Sequence, residues 1–470
     1  MAAPTRTTLY HGGGFDVNGY KREREFTTRI MKYLESHELV NDFLRKFVNR
    51  TWDVDEIPWR LVSALILGKI LLSHASANKV QDEVVAGESK ARFYSGIHQI
   101  AAEMPDVYRT TIARIQDDPA MKMRPDGILI LDEHVIPHSS EGIEGVSWFH
   151  STTEGKPILG HSMISVHYYR KNVEYPVDFR FYRRLEELQA HDAETMFKEK
   201  NEIARELFLA VCQMPGVPYI VVMDSYFMTK ENVTVLKKLK RHYVSRPKRN
   251  WNVNYEGTKY SLVNLFNTIP TKEFKETKVT NPKTKAEKKY LVATRIVFIP
   301  KIGMHVAVFI DCTKPRPENK EAEDAEAITT DAGRKFRVFV ASNLEWDAAT
   351  ILSIYMLRWT IETSYRDMNQ DLDLHGCKWR ELDGQYCFIV LTFLCYLFLM
   401  WAKVHGFLTG DGVQSQTLGQ LKEEFTHYCQ GQLIEYISSL KQQCQECKLM
   451  DWIFHHVYSW TAERPWKEAS

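Results

Sequence analysis

The chain predicts an α/β fold in which helices flank a mixed sheet, and three observations carry that prediction. Two short runs, GILIL at 127–131 and PYIVVM at 218–223, are continuously apolar, as strands buried on both faces require. Each is followed at once by an aspartate, Asp132 and Asp224, so each strand is expected to end there. Around them, alternating and amphipathic stretches give the order three strands, helix, strand, helix, strand. The third observation is the stretch 347–374, DAATILSIYMLRWTIETSYRDMNQDLDL, which reads as one long helix: Asp347 suits an N-cap and no Gly or Pro interrupts it.

Taken in order, residues 1–25 are polar and Gly-rich and are expected to be a flexible N-terminus. Their HGGG at 11–14 would suit an esterase oxyanion hole, but no GxSxG elbow accompanies it, so that match is accidental. Residues 26–119 carry helical spacing throughout. Within them, 76–85 and 89–102 read as two helices across a Gly-containing turn, which fits a helix-turn-helix and a plain bundle equally. Past Asp132 a long polar loop is expected, then strands at 162–169 and 173–182 and a helix over 190–214. A helix at 229–240 and a strand at 242–245 follow the second aspartate.

The segment 246–335 interrupts this pattern and reads as a mostly β insertion, with alternation at 259–266, 289–299 and 304–310 and an acidic run, ENKEAEDAEA, as a surface loop. Residues 337–342 return to the core and feed the long helix, so that 120–245 and 336–405 make up the central α/β unit. The run CFIVLTFLCYLFLMWA at 387–402 is sixteen residues, short of the ~20 that span a bilayer, and is expected to be a buried helix rather than a membrane anchor. Residues 406–470 read as a helical C-terminal region.

A net charge of +1 over 470 residues conceals an asymmetry. Between Lys230 and Arg316 there are 20 Lys/Arg against 6 Asp/Glu, a local excess of +14 that makes this block a phosphate-binding candidate. Arg241, Arg246, Lys248 and Arg249 follow the second aspartate and are expected near the same cleft. The eight cysteines have no framework spacing, and Cys444 and Cys447 with His455 and His456 make a poor zinc signature, so a reducing, cytoplasmic setting is expected.

On the long helix, Tyr355, Arg358, Glu362, Arg366 and Asn369 fall in one polar stripe at about 100° per residue. The Tyr-x2-Arg-x3-Glu spacing resembles the YREK signature of the DDE transposases of bacterial insertion sequences, whose core is ribonuclease-H-like. The resemblance implies that Asp132, Asp224 and Glu362 bind Mg²⁺ or Mn²⁺, two ions per active site, and catalyse strand cleavage. It implies also that Tyr355 and Arg358 touch the transposon end, that His161 lies in a loop approaching the scissile strand, and that Trp251 stacks on a base. The family's Lys is replaced by Asn369, with Arg366 the nearest cation able to substitute. Three carboxylates gathered from distant sequence independently suit hard divalent cations. The implied activity is binding of terminal inverted repeats by the N-terminal helical region, end cleavage and joining of 3′-hydroxyls to target DNA, by a homodimer at the nucleoid. A transposase-derived DNA-binding protein without cleavage activity, or a structure-specific nuclease on the same fold, is the alternative.

Overall fold

The computed structural model describes residues 69–70, 98, 100–151, 155–313, 327–405 and 417–427. The helix-turn-helix candidate and the acidic run lie almost wholly outside the described residues, and the cysteine and histidine pairs of the C-terminal region lie entirely outside them.

Helix α1 (Met104–Ile115) leads into β1 (Ile128–Pro137), β2 (Ser147–Ser151), β3 (Lys156–Arg170) and β4 (Val173–Tyr182). Helices α2 (Leu185–Gln189) and α3 (Lys200–Val211), strand β5 (Ile220–Met223), helix α4 (Lys230–Lys238) and strand β6 (His242–Ser245) complete the first half. Strand β1 pairs antiparallel with β3 and parallel with β5, while β5 pairs parallel with β6. With β4 beyond β3, this is the mixed sheet of a ribonuclease-H-like core.

The basic segment does not stand apart from that sheet. It supplies β7 (Asn252–Tyr255), β8 (Thr258–Ser261), helix α5 (Leu262–Thr268), then β9 (Lys275–Thr280), β10 (Glu287–Ile299), β11 (Gly303–Asp311) and β12 (Ile328–Thr329). Strand β13 (Lys335–Ala341) joins the halves, pairing with β6 on one side and β11 on the other. The described strands thus form a single sheet in the order β2-β3-β1-β5-β6-β13-β11-β10-β7-β8, with β4, β9 and β12 paired off that path. Helices α6 (Ala348–Met356), α7 (Trp359–Leu372) and α8 (Leu382–Val404) follow.

Helix α8 is long and apolar enough to cross a membrane, but 83% of its apolar window is buried inside the protein, so it is the core helix the sequence led us to expect. It packs on α1, β4 and α7.

Several expectations are corrected. The first strand does not end at Asp132; it continues five residues further because its antiparallel pairing with β3 runs on to Pro137 opposite Gly160. The 190–214 helix is shorter and starts later, since Glu199 and Glu202 form a capping box that sets its first turn at Lys200. Stretch 259–266 is half strand and half helix: Ser261 accepts a hydrogen bond from the Asn264 N–H and caps α5, a signal that alternation alone ignores. Finally, the long helix is two helices. At Leu357 and Arg358 the backbone N–H groups bond to Ile354 and Tyr355, three residues back, which tightens the winding between α6 and α7.

Candidate active site

Asp132 and Asp224 are neighbours because of strand register. Leu131 pairs with Met223 in the parallel β1–β5 ladder, so the next residue of each strand is an aspartate. Alternation along β1 then sends Asp132 and Glu133 to opposite faces. Glu133 accepts from Ser162 at 2.7 Å and pairs with Lys200 of α3. Asp132 faces the other way, toward the junction of α6 and α7, where Arg358 Nη1 lies 2.7 Å from its Oδ2. The same Nη1 is 2.6 Å from Glu362 Oε1, one turn along α7. One guanidinium therefore stands between two carboxylates that are 230 residues apart in the chain.

The electrostatics follow from burial. Asp132 is pushed up to about 7, first because it is removed from water; Arg358 opposes this, while Asp224 and Glu362 add to it by repulsion. Burial also raises Asp224, against hydrogen bonds from the backbone N–H groups of Phe227 and Tyr226 at 3.2 and 2.9 Å. For Arg358 burial works against the charged form, but Asp132, Tyr355 and Glu362 outweigh it and hold the guanidinium above its ordinary value. Asp132 and Glu362, which share the Arg358 guanidinium, and Asp224 beside Asp132 are oxygen donors of the kind a hard divalent ion takes. Among the described residues, no three His, Cys, Asp or Glu side chains close on one point.

Tyr355 is half-buried with its ring 4.7 Å from Phe339, and the Arg358 guanidinium lies 5.9 Å from it. A cleft of about 440 Å³ opens beside them, lined among others by Lys288, Tyr290, Arg337 and Trp359. Trp359 is 60% exposed. The tightened winding just before it is invisible to a 100° helical wheel.

Of the basic residues, Arg246, Lys248 and Arg249 follow β6, whose last residue, Ser245, donates to the Asp224 carbonyl at 3.0 Å. Lys248 Nζ lies 5.8 Å from the Tyr226 ring, two residues beyond Asp224. Arg241 is a correction: it precedes β6, at the opposite end of the parallel strands, and donates to the Cys212 carbonyl at 3.1 Å. Trp251 is half-buried against the core.

His161 is a second correction. It sits within β3 rather than in a loop, is 1% exposed, and has both ring nitrogens engaged at 2.8 Å, one with His138 and one with the Glu144 carbonyl. The unexpected length of the β1–β3 ladder puts it there. Arg366 is exposed beside Asp367 at 3.7 Å. Asn369 uses its Oδ1 to accept the backbone N–H of His375 at 3.2 Å.

Sequence reasoning also missed a polar seat beneath α7. His134, two residues past Asp132, stacks on Tyr365 at 4.3 Å and lies 3.0 Å from His375 through the two Nε2 atoms. The Tyr365 hydroxyl bonds to Ser165, the cross-strand partner of Asp132. Period-two spacing of Asp132 and His134 was the one signal that could have found it.

Comparison with known proteins adds an independent line. A family model described as a transposase DDE domain matches residues 188–398, and one described as a DDE superfamily endonuclease matches 77–259. A search of curated proteins returned no match. The two models overlap over 188–259 and together span both aspartates and the helix of Glu362. Sheet and family models thus converge on a DDE-type transposase domain, the domain of enzymes that act on DNA with the help of divalent metal ions.

Proposed function

We propose that this transposase binds the terminal inverted repeats of its element, cleaves each end by phosphodiester hydrolysis and joins the resulting 3′-hydroxyls to target DNA, acting in the cytoplasm as a homodimer that synapses two ends. Asp132, Asp224 and Glu362 are the metal-holding carboxylates, for Mg²⁺ or Mn²⁺, with two ions expected per site. The observation that carries this reading is Arg358 shared by Asp132 and Glu362 beside the Asp132–Asp224 strand pair.

Such ions, when bound, acidify a water or 3′-hydroxyl and neutralise charge at the leaving oxygen. The protein's own contribution is positioning. Strand register sets the two aspartates side by side, and α7 brings in Glu362. Arg358 remains charged and offers a fork of donors suited to a phosphate oxygen of the DNA end. Tyr355, Trp359 and the adjoining cleft, with Lys288 and Arg337, combine flat rings with cations, a surface on which a nucleotide base stacks while its phosphate is neutralised. Arg246, Lys248 and Arg249 extend the cationic surface from the Asp224 side, and Trp251 lies on the same stretch of chain.

The test is single-turnover cleavage of DNA carrying the element's ends, with and without Mg²⁺. Asp132→Ala, Asp224→Ala and Glu362→Ala are each expected to abolish cutting while end binding persists. Near wild-type cutting by any of the three removes that residue from the ligand set. Wild-type protein that binds ends without cutting at any metal concentration would instead mark a DNA-binding derivative.

A further inference from the structure

We infer that Asn369, His375 and His134 form a positioning relay that seats the Glu362 helix on the strand of Asp132, so that Asn369 works on the protein rather than on DNA. The inference rests on the assignment of Asp132 and Glu362 as metal ligands and adds residues that act through them.

The relay is continuous. Asn369, two turns past Glu362 on α7, accepts the His375 backbone N–H at 3.2 Å and so holds the loop that follows the helix. His375 Nε2 meets His134 Nε2 at 3.0 Å. Period-two alternation puts His134 on the same sheet face as Asp132. Between them Tyr365, 3% exposed and one turn after Glu362, stacks on His134 with ring planes 16° apart and bonds to the Ser165 hydroxyl opposite Asp132. The helix end, the loop and the strand are thereby tied together next to Asp132 and on the C-terminal side of Glu362.

The imidazoles and the acceptor oxygen of the relay are engaged within the protein. A nitrogen-to-nitrogen bond between imidazoles needs one N–H and one lone pair, so each ring's Nε2 is already satisfied by the other. The Asn369 oxygen accepts from His375, so a phosphate would have to meet its Nδ2 donors, a contact that DNA titrations test. Residues that orient ligating carboxylates typically change metal affinity by about 10- to 100-fold when removed.

The experiment measures Mn²⁺ binding to the full-length protein by calorimetry, and affinity for end DNA at two salt concentrations. Asn369→Asp keeps the acceptor oxygen, whereas Asn369→Lys restores the residue of the resembled family and loses it. We expect Asn369→Lys and His375→Ala to weaken Mn²⁺ binding by about 10-fold, with Asn369→Asp and His375→Gln near wild type. Because His375 acts through His134, the His134→Ala/His375→Ala double variant should bind Mn²⁺ no more weakly than the worse single one. A general loss of fold would lower both readouts together and would not spare Asn369→Asp.

Unchanged Mn²⁺ binding in Asn369→Lys and His375→Ala overturns the relay. So does tighter DNA binding by Asn369→Lys with weaker binding by Asn369→Asp, the pattern of a phosphate contact. The control is Asp132→Ala. If that variant binds Mn²⁺ and cleaves like the wild type, the ligand assignment itself has failed, and the relay with it.

Discussion

At the scale of the residue, the site shows which of two opposing effects wins. Asp132 has a guanidinium at 2.7 Å, and a neighbour of that kind ordinarily draws a carboxyl downward. It sits instead near 7, because loss of water and two further carboxylates outweigh one cation. His167 shows the same rule for a base. Buried at 3% exposure beside Tyr365, it is pushed down to about 3 by loss of water and then by His134. Its folded value lies below its unfolded value of about 6.5, so the stability it confers is fully present above that pH. This stability is lost as pH falls toward about 3, by up to about 1.4 kcal/mol per pH unit. Urea unfolding of the metal-free protein between pH 7.5 and 4.5 should therefore show a slope that His167→Phe flattens. An identical slope in the variant would mean that His167 is not the group protonated on unfolding.

At the scale of the element, the β1–β3 ladder decides the most. Ten residue pairs in unbroken register put Ser165 opposite Asp132 and bury His161. The ladder tolerates no side chain at Gly160, where an added Cβ would stand 2.2 Å from the Ile136 carbonyl oxygen. Gly160→Ala should accordingly destabilise the protein by about 1–3 kcal/mol, the usual cost of overpacking. It should also depress cleavage by shifting the strand that faces Asp132. A denaturation midpoint equal to wild type would show that the two strands separate there without cost.

For the whole molecule, the basic block is part of the sheet rather than an appendage, since β11 pairs with β13 and β13 with β6. Its leading residues, Lys248 and Arg249, emerge at the end of the sheet where Asp224 lies. Replacing both with alanine should weaken binding to all duplexes alike. The salt dependence should flatten by roughly 0.9 for each phosphate that is no longer neutralised. An unchanged slope in fluorescence anisotropy titrations would place both side chains in solvent away from DNA.

The sequence by itself determined the sheet's central strands, the two aspartates after apolar runs, the buried helix α8 and the spacing that led to the transposase family. These are local signals: a strand buried on both faces must be apolar throughout, and a helix repeats its faces every 3.6 residues. Tertiary structure alone decided the rest. It made Arg358 a bridge between Asp132 and Glu362, carried β1 past Asp132, exposed Trp359 and turned Asn369 inward to His375. Most of these depend on a partner far along the chain, chosen by strand register and by the exclusion of water where the elements meet. Neither is written in the spacing of neighbouring residues.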